Sequence, residues 1–232
     1  MLEGKWQDRG KDPRERSKET DSEGVFFPVL RDHRMHLLMA KLRENPVIAG
    51  IREPEAVGDA VDKGMQVFFI LGGTLLDLGS MVSAIKAEDG CLAFVHIDLI
   101  PGIGKDPVGV EYLAETLPLD GIVTTRTHLI RAAKDAGLLA VERFFALDSE
   151  AVKTGLNMLR SATPDAVEIL PAMVLPYLGR RLPVAEMPPI IAGGLVETVE
   201  EVQAVLDSPA VAVSTSRAEL WDSVRRGLYR ET

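Results

Sequence analysis

The chain has 232 residues, 46% of them hydrophobic but only 5% aromatic, with a net charge of −9 and one cysteine, Cys91. These totals fit one barrel-sized domain with a core of Val, Ile, Leu and Ala, of the kind that buries a parallel sheet on both faces. They exclude an intrachain disulfide and a cysteine-ligated metal, and the acidity opposes a basic nucleic-acid footprint spread over the surface.

Residues 1–24 are dense in charge of both signs, and Leu2 and Trp6 are their only large apolar side chains. They read as a disordered extension ahead of a single domain over 25–232. The segment lacks the apolar stretch of a secretory signal, and no later run approaches the length of a membrane span. A cytoplasmic protein with no membrane contact is expected. Met35, Leu38, Met39 and Leu42 then share one helical face, which suits a helix packed against a barrel end.

From residue 46 onward, strand and helix patterns alternate. Strands are expected at 47–51, 66–71, 91–97, 121–125, 138–141, 166–170, 189–192 and 210–214. Helices are expected at 53–63, 76–87, 107–116, 128–136, 149–161, 172–182, 199–206 and 217–226. Gly64, Gly90, Gly137 and Asp120-Gly121 punctuate the helix-to-strand turns, where a left-handed residue is wanted. Thr198, followed by Glu200 and Glu201, reads as a helix cap, and Asp148 or Ser149 does the same for the fifth helix. Eight consecutive strand–helix units make a (β/α)8 TIM-type barrel. A doubly wound open sheet would carry glycines at its first strand–helix turn, which here reads Ile51-Arg52-Glu53-Pro54.

In such a barrel the strand C-termini form the functional face. The residues there are Arg52, Gly72-Gly73-Thr74, His96 with Asp98, Thr125-Arg126-Thr127, Glu142-Arg143, Glu168, Gly193-Gly194 and Ser214-Thr215-Ser216. Gly193-Gly194 and Ser214-Thr215 end the seventh and eighth strands, where a barrel's phosphate cradle lies. Backbone N–H groups and helix N-termini make such a cradle. His96 and Asp98, two apart, are expected to share the mouth as a hydrogen-bonding or acid/base pair. Lys105 lies on the longest strand-to-helix loop, between Gly102 and Gly104 and the next helix, and could close over an anion. Two carboxylates alone do not make a metal site, so none is expected. Arg225-Arg226 with Arg230, Arg180-Arg181 and Arg31/Arg34 are the basic clusters open to RNA, and no interleaving of aromatic with basic residues is read.

Several segments, taken in order, resemble one family. They are Val95-His96-Ile97-Asp98-Leu99-Ile100-Pro101-Gly102, Gly121-Ile122-Val123-Thr124-Thr125-Arg126, the run from Glu142 to Ser149, the run from Pro164 to Met173, and Pro189-Ile190-Ile191-Ala192-Gly193-Gly194-Leu195. The chain over about 46–217 is similar to the glycerol-3-phosphate-responsive antiterminators. The first strand departs from the pattern at Ile48-Ala49-Gly50, where a proline is expected. The resemblance implies a non-catalytic, cofactor-free regulator whose ligand is sn-glycerol 3-phosphate. In that reading the liganded form acts on the mRNA leader of glycerol-metabolism genes. His96, Asp98, Arg126, Glu142 and Glu168 would line the ligand site, and Gly193, Gly194, Ser214 and Thr215 would hold the phosphate. A homo-oligomer is compatible with it. The alternative is a barrel enzyme on a small phosphorylated substrate, phosphodiesterase- or isomerase-like. A Schiff-base aldolase is disfavoured because no assigned strand carries a lysine.

Overall fold

Eight parallel strands close into one barrel in sequence order, β1 Val47–Ile51, β2 Val67–Ile70, β3 Leu92–His96, β4 Gly121–Thr124, β5 Leu139–Phe145, β6 Ala166–Leu170, β7 Ile190–Gly193 and β8 Ala210–Thr215. This computed structural model describes the backbone of residues 20–221 and the side chains of 31–221. Alternation along each strand sends one set of side chains inward and the other toward the helices. The inward set includes Ile48, Val67, Phe69, Leu92, Phe94, Val123, Leu139, Val141, Ala166, Ile191 and Ala212, all essentially inaccessible. Phe69 and Phe94 meet edge to face there, with ring centroids 5.5 Å apart.

Helix α1 (Thr20–Glu44) plugs the end of the barrel opposite the mouth, with Leu38 and Leu42 packed into the inward cluster. Arg34 donates to the Gly137 carbonyl at 2.6 Å, and Arg31 pairs with Asp165 at 3.5 Å. The extension expected over 1–24 lies outside the described residues up to 19, and its expected boundary falls within α1. No helix among the described residues is long and apolar enough to cross a membrane.

The outer helices are α2 (Ala56–Asp62), α3 (Leu75–Lys86), α4 (Pro107–Thr116), α5 (Thr127–Asp135), α6 (Ser149–Ala162), α7 (Leu175–Leu178) and α8 (Val199–Leu206). Thr198 caps α8 in a reciprocal capping box with Glu201, and Asp148 caps α6 through the Ala151 amide. Gly64, Gly90 and Gly137 do take positive φ. Gly121 does not. It is glycine for space, since a Cβ there would stand 2.5 Å from both the Leu139 carbonyl oxygen and the Phe94 ring.

Two expected elements differ in form. Strand β5 runs on to Phe145, because Arg143 finds its partner across the ladder on β6 and the charge does not end the strand. The helix expected at 172–182 is a chain of short turns: 3-10 at Ala172–Val174, α7, then 3-10 at Gly179–Arg181. Gly179 is pressed against Pro209, where a Cβ would lie 2.5 Å from Cδ, so the segment follows that contact in place of a regular helix. Of the helix expected at 217–226, the described residues show a 3-10 turn, Ala218–Leu220, and residues from 222 lie outside them.

Candidate functional site

The inner faces of β5 to β8 end in a polar layer centred on Glu168. Arg143 Nε donates to Glu168 Oε2 at 2.5 Å, and Ser214 Oγ donates to Oε1 at 2.5 Å. Arg143 lies opposite Glu168 in the ladder, and Gly193 lies opposite Ser214. A Cβ on Gly193 would stand 2.5 Å from Glu168 Oε1 and 2.8 Å from Ser214 Oγ, so the glycine is what lets the carboxylate and hydroxyl meet. Glu168 is fully buried and Arg143 nearly so.

Above this layer opens a cavity of about 170 Å³, walled by Arg52, Arg143, Glu168, Leu170, Ser214 and the loops at 194–197 and 215–217. Three guanidinium groups face it, from Arg52, Arg143 and Arg217. Arg143 is spent on Glu168 and Arg217 on Glu197, at 2.5 Å each. Arg52 has no ion pair among the described residues and touches only Ser216 Oγ, from Nε at 3.3 Å. The cavity therefore keeps one uncompensated positive charge at its rim, as an anion site requires.

The loop after β7 contributes two successive left-handed residues, Gly194 at φ +76° and Leu195 at φ +59°. A leucine in that region is strained, and Leu195 is also 74% exposed at the mouth. Both residues line the cavity, and the Gly194 carbonyl accepts from the Ala172 amide at 3.2 Å, which ties the loop to the end of β6. Thr215 is committed locally: its Oγ1 accepts from the Arg217 amide at 3.1 Å, and its carbonyl accepts from Trp221 Nε1 at 2.9 Å.

The remaining expected residues form a second group on β3 and β4, outside the cavity wall. His96 ends β3 on the inner face, 2% exposed, with Nδ1 buried and unpartnered. Burial first, and then the Arg143 guanidinium, push it down to about 4 from 6.5, so it is neutral. Asp98 is not at strand spacing from it. The chain turns into a 3-10 helix at Ile97–Leu99, which leaves Nδ1 3.9 Å from Asp98 Oδ2, too far for a hydrogen bond. Asp98 instead stitches two loops together. It accepts from the Thr125 amide (2.7 Å), Thr124 Oγ1 (3.0 Å), Thr125 Oγ1 (3.1 Å) and Arg126 Nε (3.0 Å). Burial alone would raise its pKa, but these bonds outweigh that and hold it low.

Glu142, expected at the mouth, stands on the opposite face of β5 from Arg143. Its Oε1 accepts from Thr127 at the start of α5 at 2.9 Å, while Oε2 is buried without a partner, and burial raises its pKa. Lys105 does not reach out from a mobile tip. Its Nζ folds back onto the carbonyls of Ile97 and Ile100. Of that loop's glycines, Gly102 takes a positive φ of +89°, and the Gly104 carbonyl packs so close to α4 that a Cβ on Gly109 would stand 2.1 Å from its oxygen. Among the described residues no group of three His, Cys, Asp or Glu side chains is placed to hold a metal. Of the cavity's own residues, Arg143 and Arg52 entered the sequence analysis only as members of the polar ring at the strand C-termini. The signal for Arg143 was its alternation with Leu139 and Val141.

A family model described as glycerol-3-phosphate responsive antiterminator matches residues 47–221. The Escherichia coli K12 protein YgcP, itself uncharacterized, is 30% identical over 189 residues, which cover 82% of this chain and 98% of YgcP. A glycerol uptake operon antiterminator-related protein from Thermotoga maritima is 34% identical, with a TM-score of 0.67 over 75% of this chain and 96% of that one. The glycerol uptake operon antiterminator regulatory protein of Listeria monocytogenes is 28% identical, with a TM-score of 0.68 over 77% and 95%. Barrel enzymes at 11% and 16% identity share the fold alone.

Proposed function

This chain belongs to the glycerol-3-phosphate responsive antiterminator family and is a regulatory antiterminator, and from that premise we propose where and how it senses its ligand. The phosphate of sn-glycerol 3-phosphate sits against Arg52, the Gly193-Gly194 loop and the Ser214–Thr215 end of β8. The glycerol hydroxyls point down toward Glu168, which is held by Arg143, and toward the unpartnered Nδ1 of neutral His96. Asp98 and Arg126 act from outside the cavity wall by tying the β3 and β4 loops together, and Glu142 fixes the start of α5 through Thr127. No cofactor or metal takes part.

The observation that carries this reading is Arg52, an unpaired guanidinium at the rim of a cavity whose other two arginines are already neutralised. An enzyme acting on the same ligand would need a group that moves protons at the reacting atoms. A Schiff-base mechanism lacks its nucleophile, since no described strand carries a lysine, and burial with the Arg143 charge makes His96 a weak base. The liganded protein acts in the cytoplasm on the mRNA leader of glycerol-metabolism genes. For that, the ligand must bind one conformation better than another, because equal binding to both transmits nothing.

Calorimetry with sn-glycerol 3-phosphate tests the site, with glycerol and inorganic phosphate as controls and Gly194→Asp as the disrupted site. Saturable heat in the wild type, absent in the variant, with the ligand recovered unchanged, is expected. No heat at millimolar ligand removes the assignment, and recovery of a converted ligand makes the protein an enzyme.

A further inference from the structure

The acidic surface of this antiterminator poses a problem, since RNA binding is dominated by cationic contacts to phosphates. Of the basic clusters visible in the sequence, Arg31 and Arg34 are consumed internally by Asp165, Asp120 and the Gly137 carbonyl. Arg225, Arg226 and Arg230 lie outside the described residues. Arg180 and Arg181 are different. Both are exposed, and neither makes an ion pair among the described residues.

The spacing along this segment puts an aromatic ring beside them. Tyr177, Arg180 and Arg181 stand at i, i+3 and i+4 across α7 and the following 3-10 turn, so they share one face. Tyr177 is 84% exposed, and with Pro176 and the two arginines it surrounds a surface hollow of about 370 Å³. An exposed tyrosine ring offers a large flat surface on which another planar group can stack. The Gly179–Pro209 contact holds the segment firmly from below. The exposure of Tyr177 together with both arginines makes this an interleaving of aromatic and basic residues, one that was not read from the sequence.

Resting on the antiterminator reading above, we propose that the Tyr177–Arg180–Arg181 face is the platform on which this protein holds single-stranded RNA. A base stacks on the Tyr177 ring, and Arg180 and Arg181 take the flanking phosphates. Charge complementarity selects the occupant, because two unpaired guanidinium groups on a chain of net charge −9 suit a polyanion. The face is also joined to the ligand cavity. Strand β6, whose Glu168 and Leu170 wall the cavity, runs directly into this segment, and the Ala172 amide donates to the Gly194 carbonyl at 3.2 Å. A ligand that fixes the Gly194 loop thereby fixes the start of the RNA face.

The test uses the full chain with sn-glycerol 3-phosphate to enrich binders from a randomised single-stranded RNA pool. The enriched RNA is then titrated by fluorescence anisotropy over a salt series. Tyr177→Ala is expected to weaken binding about five- to a hundred-fold, while Tyr177→Phe keeps wild-type affinity because the ring and not the hydroxyl is used. The double variant Arg180→Gln/Arg181→Gln is expected to flatten the log–log salt slope by about 1.4, the share of two phosphates on a single strand. All three variants keep the wild-type calorimetric response to sn-glycerol 3-phosphate. Failure to enrich RNA, or wild-type RNA binding by Tyr177→Ala and the double variant, overturns the proposal. So does a change in sedimentation without a change in RNA binding, which makes this face a contact between copies of the chain. If the wild type gives no heat with sn-glycerol 3-phosphate, the sensing site is what fails. Enrichment and titration without ligand then decide the RNA face by the same variants.

Discussion

Arg143 on β5 and Glu168 on β6 lie opposite each other in the barrel ladder, and their side chains close a buried ion pair at 2.5 Å at the floor of the cavity. Removing either partner strands a charge away from water. Arg143→Met is therefore expected to cost about 3–5 kcal/mol of stability in urea unfolding. The double variant Arg143→Met/Glu168→Leu recovers most of that loss, since no charge is left unpaired, while binding of sn-glycerol 3-phosphate stays absent. Equal destabilisation by the single and double variants refutes this role for the pair.

Gly193 is the least replaceable residue of the cradle. Its Cβ would collide with both Glu168 Oε1 and Ser214 Oγ. Gly193→Ala is expected to break the Ser214–Glu168 bond and weaken ligand binding at least about tenfold, equivalent to the roughly 1.4 kcal/mol of one net hydrogen bond. Gly194→Ala acts differently. It strains a backbone at φ +76° by about 1–2 kcal/mol and leaves the Glu168 contact in place. Calorimetry and thermal melting on both variants separate the two effects, and identical profiles remove the distinction.

The barrel was readable because each local signal agreed with the fold. Strands β1 and β6 and helices α4 and α8 stand where apolar period and caps put them. The meeting of Gly193-Gly194 and Ser214 beside one cavity was readable from their place at the ends of strands seven and eight. What the sequence hid was direction. Glu142 and Arg143 are neighbours with like polarity, and only the pleat, traced back through Leu139 and Val141, says that the arginine faces inward. Asp98 was misplaced because the strand period was carried one turn too far, past the point where the chain enters a 3-10 helix. The spacing of Tyr177, Arg180 and Arg181 was legible as one helical face, but its exposure was not, because which side of 172–182 packs inward is set by the contact of Gly179 with Pro209, far away in sequence.

Arg52 carries the unpaired charge at the cavity rim, so its loss is expected to reduce affinity without unfolding the protein. Arg52→Gln is predicted to weaken sn-glycerol 3-phosphate binding by about 1.5–3 kcal/mol, the worth of a hydrogen bond to a charged group. Its melting temperature stays near that of the wild type, because the substitution breaks a single 3.3 Å bond to Ser216 and no ion pair among the described residues. The wild-type affinity also falls with added salt, and the variant's falls less. An unchanged dissociation constant moves the phosphate away from Arg52.

His96 makes the fold sensitive to mild acid. Its pKa in the folded protein is about 4, set by burial and by Arg143 against the opposing pull of Asp98, whereas an unfolded histidine titrates near 6.5. Between these values the unfolded chain holds a proton that the folded chain refuses. Stability is therefore unaffected by this group above pH ~6.5 and is lost as the pH falls from there toward about 4, by roughly 3 kcal/mol in all. Glu142 acts in the opposite sense, because burial raises its pKa and its stabilising protonation is lost as the pH rises. The wild-type profile alone mixes the two. The difference between wild type and His96→Gln isolates the histidine: their urea midpoints should converge as the pH is lowered from 7 toward 4.5. Parallel profiles over that interval mean that folded His96 takes up its proton as readily as the unfolded chain does, and the depression by burial and Arg143 is refuted.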